Sequence, residues 1–212
     1  MPQHSLKLAV LVSGSGRSLQ NLIDLSRAGQ LPADVRVVIA SKPGIKSIDR
    51  AGAAGIRCEV IERKSFADIA AFSARVFAVC DEANADLVCL AGWLSLLGLP
   101  DRYRGRVMNI HPALLPSFGG RGMWGHHVHE AVLAHGCKIS GCTVHFVDDA
   151  YDNGPIVLQR ACQVLDDDTA DTLADRVFEQ ELVAYPQAIR LFAEGRLAVE
   201  GRRVVTRAVT SA

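Results

Sequence analysis

With 212 residues, 49% of them hydrophobic, the chain is long enough to bury a core and short for two domains. Lysine plus arginine equal aspartate plus glutamate at 23 each, which argues against a strongly basic nucleic-acid binder or an anionic-membrane binder and leaves any anion site to local geometry. Six scattered cysteines without a C-x-x-C pair, and an opening MPQHSLKLAVLVSG whose apolar run is too short for a signal peptide or a membrane span, predict a soluble, cytoplasmic protein.

In chain order, residues 6–12 (LKLAVLV) form a continuous apolar run, followed by the loop SGSGRS. LQNLIDLSRAG then sets Leu19, Leu22, Ile23 and Leu25 on one helical face, with Gly29 as a stop signal. The strand–helix unit recurs as VRVVIAS (35–41) before a helix across 46–54, and as RCEVI (57–61) before a longer helix across 66–84. Next comes DLVCLAG (86–92), whose unbroken hydrophobicity suits a strand covered on both faces. Alternation of this kind predicts a parallel sheet flanked by helices.

The second half changes character: RVMNI (106–110), a loop, a helix from about His127 to Ala134, then SGCTVHFVD and PIVLQRACQV. The joining DAYDNG carries tight-turn chemistry and predicts an antiparallel pair at the sheet edge. A long amphipathic helix over about Asp171–Glu194 and a short hairpin, GRLAVEGRRVVT, complete the chain. The expected fold is α/β: a Rossmann-like, mostly parallel sheet flanked by helices, with an antiparallel edge in the C-terminal half. Nothing resembles a linker or an internal repeat, so residues 1–212 are expected to form a single domain.

SGSGRSLQ follows the first strand and opens the first helix, where unpaired N–H groups and the helix dipole favour an anion. Gly14 and Gly16 let the backbone approach a ligand, while Ser15, Arg17 and Ser18 add donors. Leu19 occupies the third glycine position of a dinucleotide fingerprint, IASKP offers no acid for a ribose, and there is no G-x-x-x-x-G-K. A phosphate on a small molecule is the expected ligand; a plain glycine turn is the bland alternative.

In MNIHPALLP, the period of a strand turns Asn109 and His111 to one face and Ile110 to the other, and Pro112 predicts that the strand ends there. Taken alone, this is equally a polar strand end entering a turn. The second half also offers His126, His127 and His129, His145 on a strand, and Asp152 within YDNGP. The histidine spacing lacks H-E-x-x-H, so no metal is expected. An amide, an imidazole and an acid at strand ends suit a reaction through a tetrahedral oxyanion. In that reading Asn109 and His111 donate to the oxyanion, the latter as imidazolium, and Asp152 holds the imidazole or relays the proton lost by the attacking group. No serine elbow or activated cysteine is evident, so the substrate brings its own nucleophile.

SGSGRSLQNLI, LVCLAGWLSLL, MNIHPALLP, GCTVHFVDDAYDNGPIVLQ and EQELVAYPQAI, in this order from about Leu6 to Gly201, resemble the phosphoribosylglycinamide formyltransferase family of purine synthesis. The resemblance implies formyl transfer from 10-formyltetrahydrofolate, as co-substrate and without metal, to the amine of 5'-phosphoribosylglycinamide. It implies a phosphate-binding half over about 6–105 and a catalytic and folate-binding half over about 106–200. It places the catalytic asparagine, histidine and aspartate on Asn109, His111 and Asp152, and the ribonucleotide on Gly16, Arg17, Ser18 and Glu181. It sets the folate against Trp93, Leu94, Ser95, Leu96 and Leu97 and against Val147, Asp148, Asp149, Ala150 and Tyr151. His145, His127 and His129 take supporting roles.

Many members have an asparagine where Ser18 stands and an arginine where Ser95 stands, and the loop SFGGRGMWGHHVHE is longer than the common form, leaving Arg121 without an assigned role. Small-molecule partners are implied, with neither nucleic acid nor membrane, in a monomer or homodimer. Two alternatives stay open: a formyltetrahydrofolate hydrolase, which in its family follows an extra N-terminal domain, and a non-catalytic sensor of a folate or phosphorylated metabolite. Transfer to initiator methionyl-tRNA would bring a further C-terminal domain and a basic surface, neither of which is visible here.

Overall fold

A computed structural model describes residues 5–208; residues 1–4 and 209–212 of the expected single domain lie outside the described residues. The chain divides into two compact units, with the boundary between Met108 and Asn109.

The first unit alternates strands and helices: β1 (Leu6–Val12), α1 (Arg17–Arg27), β2 (Ala33–Ala40), α2 (Lys46–Ala53), β3 (Arg57–Val60), α3 (Ile69–Glu82) and β4 (Leu87–Leu90). Its strands run in the order β3-β2-β1-β4 and all pair parallel. Leu8 through Val12 are fully buried, which explains why β1 is an unbroken apolar run rather than an alternating one: both faces and both edges are covered. The third helix starts three residues later than its apolar pattern predicts. Asp68 accepts a hydrogen bond from Ala71 N at 2.7 Å and caps it there, after a 3-10 turn over Arg63–Ser65.

β5 (Val107–His111) crosses the unit boundary and ends ahead of Pro112, as expected. The second unit continues with α4 (His126–Ala134), β6 (Ile139–Phe146), β7 (Ile156–Gln163), α5 (Ala170–Ala193), β8 (Leu197–Glu200) and β9 (Arg203–Thr206), in the strand order β5-β6-β7-β9-β8. β6 and β7 form the expected antiparallel pair. The C-terminal hairpin lies beyond them, with β9 meeting β7 parallel at Ile156 and Arg203 and pairing antiparallel with β8, the edge strand. The fold is thus the mixed, mostly parallel α/β arrangement that the residue pattern predicts. A capping box between Thr169 and Thr172 opens α5, and Leu173, Val177, Tyr185 and Ile189 bury its apolar stripe. Among the described residues, no helix is long and apolar enough to cross a membrane.

Two features bring the site together within this unit. The β6–β7 register shifts between Val144 and His145, where Val144 faces Leu158 and His145 faces Ile156, a bulge of the kind that re-aims side chains beside functional sites. The Thr143 hydroxyl fixes the segment after β5: it donates to the Ala113 carbonyl at 2.6 Å and accepts from Leu115 N at 3.0 Å and from Gln159 Nε2 at 2.9 Å.

Candidate active site

Four polar side chains far apart in sequence meet in the second unit: Asn109 and His111 from β5, His145 from the end of β6, and Asp152 from the β6–β7 connection. Both imidazoles are buried. Asp152 turns toward them through a left-handed backbone conformation (φ 51°), which a short polar residue tolerates better than a branched one. Gly154 lets the connection lie against β6, because a Cβ there would collide with the Phe146 carbonyl.

The Asp152 carboxylate is the hub. Its Oδ2 accepts from Gly120 N at 3.0 Å and lies 3.5 Å from His111 Nδ1. Its Oδ1 accepts from Asn109 Nδ2 at 3.3 Å and lies 3.7 Å from His145 Nε2. Burial pushes this carboxyl up, but the His145 contact, the His111 charge and the Gly120 N–H outweigh it. The group therefore titrates below the usual carboxylate range and is an anion at neutral pH.

Hydrogen-bond partners decide the histidine tautomers. His145 Nδ1 faces the Phe146 carbonyl at 2.8 Å, so Nδ1 carries a proton, and Nε2 lies 3.1 Å from Asn109 Nδ2 and 3.7 Å from the Asp152 carboxylate. The Asp152 carboxylate fixes the orientation of the Asn109 amide, with its nitrogen toward His145 and Asp152. His111 differs, because both of its neighbours are acceptors: the Phe118 carbonyl at 2.8 Å from Nε2 and the Asp152 carboxylate facing Nδ1. A neutral imidazole satisfies one of the two; an imidazolium satisfies both. Burial lowers the His111 pKa, Asp152 and the Phe118 carbonyl raise it, His145 lowers it, and the net shift is downward. The free site thus holds a neutral imidazole whose Nδ1 faces an anion, and it gains a second charge-assisted hydrogen bond when a proton arrives. An amide and an imidazole each within 4 Å of one carboxylate can together stabilise an oxyanion and take up a proton.

The other expected residues of this unit divide. His129 is buried with no partner for Nδ1; burial, then the nearby His126 and His111, push it down to about 4, so it is neutral. His127 stays on the surface, 3.5 Å from Glu130 and edge-on to Trp124, and does not join the cluster. Glu181, on α5, acts electrostatically on Cys142, whose thiol is pushed up to about 12, chiefly by burial. Cys142 leaves β6 on the face opposite Thr143 and His145. In the connection Val147–Tyr151, Asp148 is spent on its own turn, accepting from Ala150 N at 3.0 Å and Asn153 Nδ2 at 2.6 Å, while Asp149, Ala150 and Tyr151 are exposed.

In the first unit, Gly16 caps α1 in the left-handed conformation (φ 71°), and no side chain caps the helix. Arg17 is exposed and Ser18 half-buried. Two α2 residues without a sequence signal brace this loop: Ser47 Oγ donates to the Gly14 carbonyl and Arg50 Nε to the Ser15 carbonyl, each at 2.9 Å. In a trans peptide the N–H points opposite to the carbonyl, so the Ser15 and Gly16 N–H groups face away from α2. After β4, Leu94 N donates to Ser13 Oγ at 3.2 Å, tying the Trp93–Leu97 segment to the end of β1. The Trp93 ring stacks on Phe72 in the core, so this segment presents backbone and an exposed Leu94. Among the described residues, no group of three or more His, Cys, Asp or Glu could hold a metal ion.

Sequence reasoning singled out the glycine-rich loop but not the parts played by Phe118 and Gly120, which act through backbone groups, or by Gly119, which acts through its missing side chain.

Residues 6–189 match the family described as formyl transferase. Phosphoribosylglycinamide formyltransferase of Escherichia coli (strain K12) is 35% identical over 194 residues, covering 91% of this chain and 89% of that protein. The trifunctional purine biosynthetic protein adenosine-3 of Drosophila melanogaster is 42% identical over 199 residues; the match covers 92% of this chain and 14% of that much longer protein. The solved glycinamide ribonucleotide transformylase 1 from Symbiobacterium toebii superposes with a TM-score of 0.90 at 41% identity, covering 97% of this chain and 95% of that one.

Proposed function

The chain belongs to the phosphoribosylglycinamide formyltransferase family, and on that premise we propose that Asn109, His111 and Asp152 carry the transfer of a formyl group from 10-formyltetrahydrofolate to the amine of 5'-phosphoribosylglycinamide. The amine nitrogen attacks the formyl carbon and forms a C–N bond, and the carbonyl electron pair moves to oxygen. His111 and Asn109 donate to that oxyanion; the 3.3 Å bond from Asn109 to Asp152 is the longest in the cluster and is the one the oxyanion takes over. Asp152 moves the proton from the attacking nitrogen toward the folate nitrogen, whose bond to the formyl carbon then breaks. His145 holds the amide, and His129 stays neutral behind His111. His127, exposed beside Trp124, keeps a supporting role from the surface.

Gly16, Arg17 and Ser18 receive the ribonucleotide phosphate, and Glu181 contacts the same substrate. Residues Trp93–Leu97 and Val147–Tyr151 receive the folate, largely through backbone. The enzyme works in the cytoplasm on these small molecules, without a metal.

The observation that carries this reading is the Asp152 carboxylate standing 3.5 Å from His111 and 3.3 Å from Asn109. The test is to follow folate absorbance with 10-formyltetrahydrofolate, with and without the ribonucleotide. Product only with the ribonucleotide is expected. Product at the same rate without it means hydrolysis, and none in either case means a sensor.

A further inference from the structure

Two backbone groups of the segment after β5 close on the two members of the His111–Asp152 pair. The Phe118 carbonyl accepts from His111 Nε2–H at 2.8 Å, and two residues on, the Gly120 N–H donates to Asp152 Oδ2 at 3.0 Å. Phe118 adopts φ 54°, a left-handed conformation that costs a bulky residue energy unless its surroundings hold it. His135 meets its ring edge-on at 5.3 Å. Gly119 lies between the two contacts: a Cβ there would collide with Leu115 Cδ2 and come within 3.2 Å of the Asp152 Cβ. Just upstream, Thr143 and Gln159 hold the Leu115 backbone from β6 and β7. The turn is therefore anchored to the strand that carries His145.

We propose that the Phe118–Gly120 turn is a positioning clasp for the reacting pair, with Gly119 the residue whose missing side chain lets it close. The inference rests on the function proposed above. The imidazole and the carboxylate each have a freely turning terminal bond, and each takes one partner from the same turn. The carbonyl keeps a proton on His111 Nε2 and aims it before substrate arrives; the formyl oxygen then replaces the carbonyl. The N–H sets which Asp152 oxygen faces the imidazole. The charged or titratable groups facing His111 are Asp152 from the connection, His145 from β6 and His129 from α4.

The test compares the full chain with Gly119→Ala, and with Gly119→Ala plus Leu115→Val, which removes the colliding Cδ2 so that the fold survives. Thermal melting reports folding. Steady-state kinetics, the pH profile of kcat and ring nitrogen NMR of His111 report the clasp. Misplacing reacting groups by about an ångström lowers turnover by about 100-fold, so kcat should fall by at least about 30-fold in Gly119→Ala, with each KM within threefold, and should recover at least in part in the double variant, where the collision with Leu115 is gone and only the 3.2 Å approach to the Asp152 Cβ remains. The acid limb of kcat should move to higher pH, because Asp152 loses a donor that favours its ionised form. The His111 Nε2 resonance should lose its hydrogen-bonded character. Wild-type kcat and acid limb in Gly119→Ala overturn the proposal, as does an unchanged His111 spectrum in that variant. If the wild type formylates no ribonucleotide, the functional reading fails, and the spectrum alone then upholds or overturns the clasp.

Discussion

Replacing His129 with leucine should make the protein more acid-stable while leaving it nearly as stable at neutral pH. His129 is buried in the first turns of α4 with Nδ1 unpartnered, and burial, then His126 and His111, push it down to about 4. An ordinary histidine titrates near 6.5. Between those values the unfolded chain binds a proton that the folded chain refuses, so stability is fully present above pH 6.5 and is lost as pH falls toward 4. A shift from about 6.5 to about 4 corresponds to a loss of about 2 kcal/mol on going from pH 7 to pH 5, and about 3 kcal/mol by pH 4. His111 adds to the same slope, but it remains in the variant and cancels in the difference. At pH 7 the leucine removes an unsatisfied polar atom at similar volume, so the change there should be small. Urea unfolding of both proteins at pH 7 and pH 5 measures the effect. If the gap between the two curves is the same at both pH values, His129 is not held neutral by burial and the reasoning is wrong.

Asp152→Asn keeps shape and removes charge: turnover should fall by about 100-fold or more while both substrates still bind, and near-normal turnover takes Asp152 out of the mechanism. Arg17→Ala should raise KM for the ribonucleotide about tenfold and leave that for the folate within twofold; an unchanged ribonucleotide value means that Arg17 serves something else. Gly154→Ala forces a methyl into the Phe146 carbonyl and should cost about 2 kcal/mol in urea unfolding together with most of the activity; full stability would show that the connection can relax there.

The alternation of apolar runs and helical stripes was enough to read the first unit, because a fully buried parallel strand such as β1 advertises itself as an unbroken hydrophobic stretch. Boundaries were less legible. The start of α3 depends on one side-chain acceptor, Asp68, inside a segment whose apolar pattern begins earlier. The placement of the last hairpin was not legible, because β9 returns to β7 only after the long α5 and touches it in register at one residue pair. At the site, strand period alone put Asn109 and His111 on one face, and the chemistry of an acid in a turn pointed to Asp152. The roles of Ser47, Arg50 and the Phe118–Gly120 turn left no mark of that kind. Their contacts run to or from main-chain atoms distant in the string, and a backbone carbonyl looks the same behind every residue type. His127 is the opposite case: a motif-like position whose side chain lies on the surface, 3.5 Å from Glu130.

The Thr143 hydroxyl gives one hydrogen bond and accepts two, which uses its whole bonding capacity. A valine would fit the space and leave the Ala113 carbonyl and the Leu115 N–H without their partner, and Gln159 with its bond to the Leu115 carbonyl alone. Serine alone among the other side chains offers the same donor and two acceptors in that space, so one hydroxyl couples the stretch Ala113–Leu115 to β6 and β7.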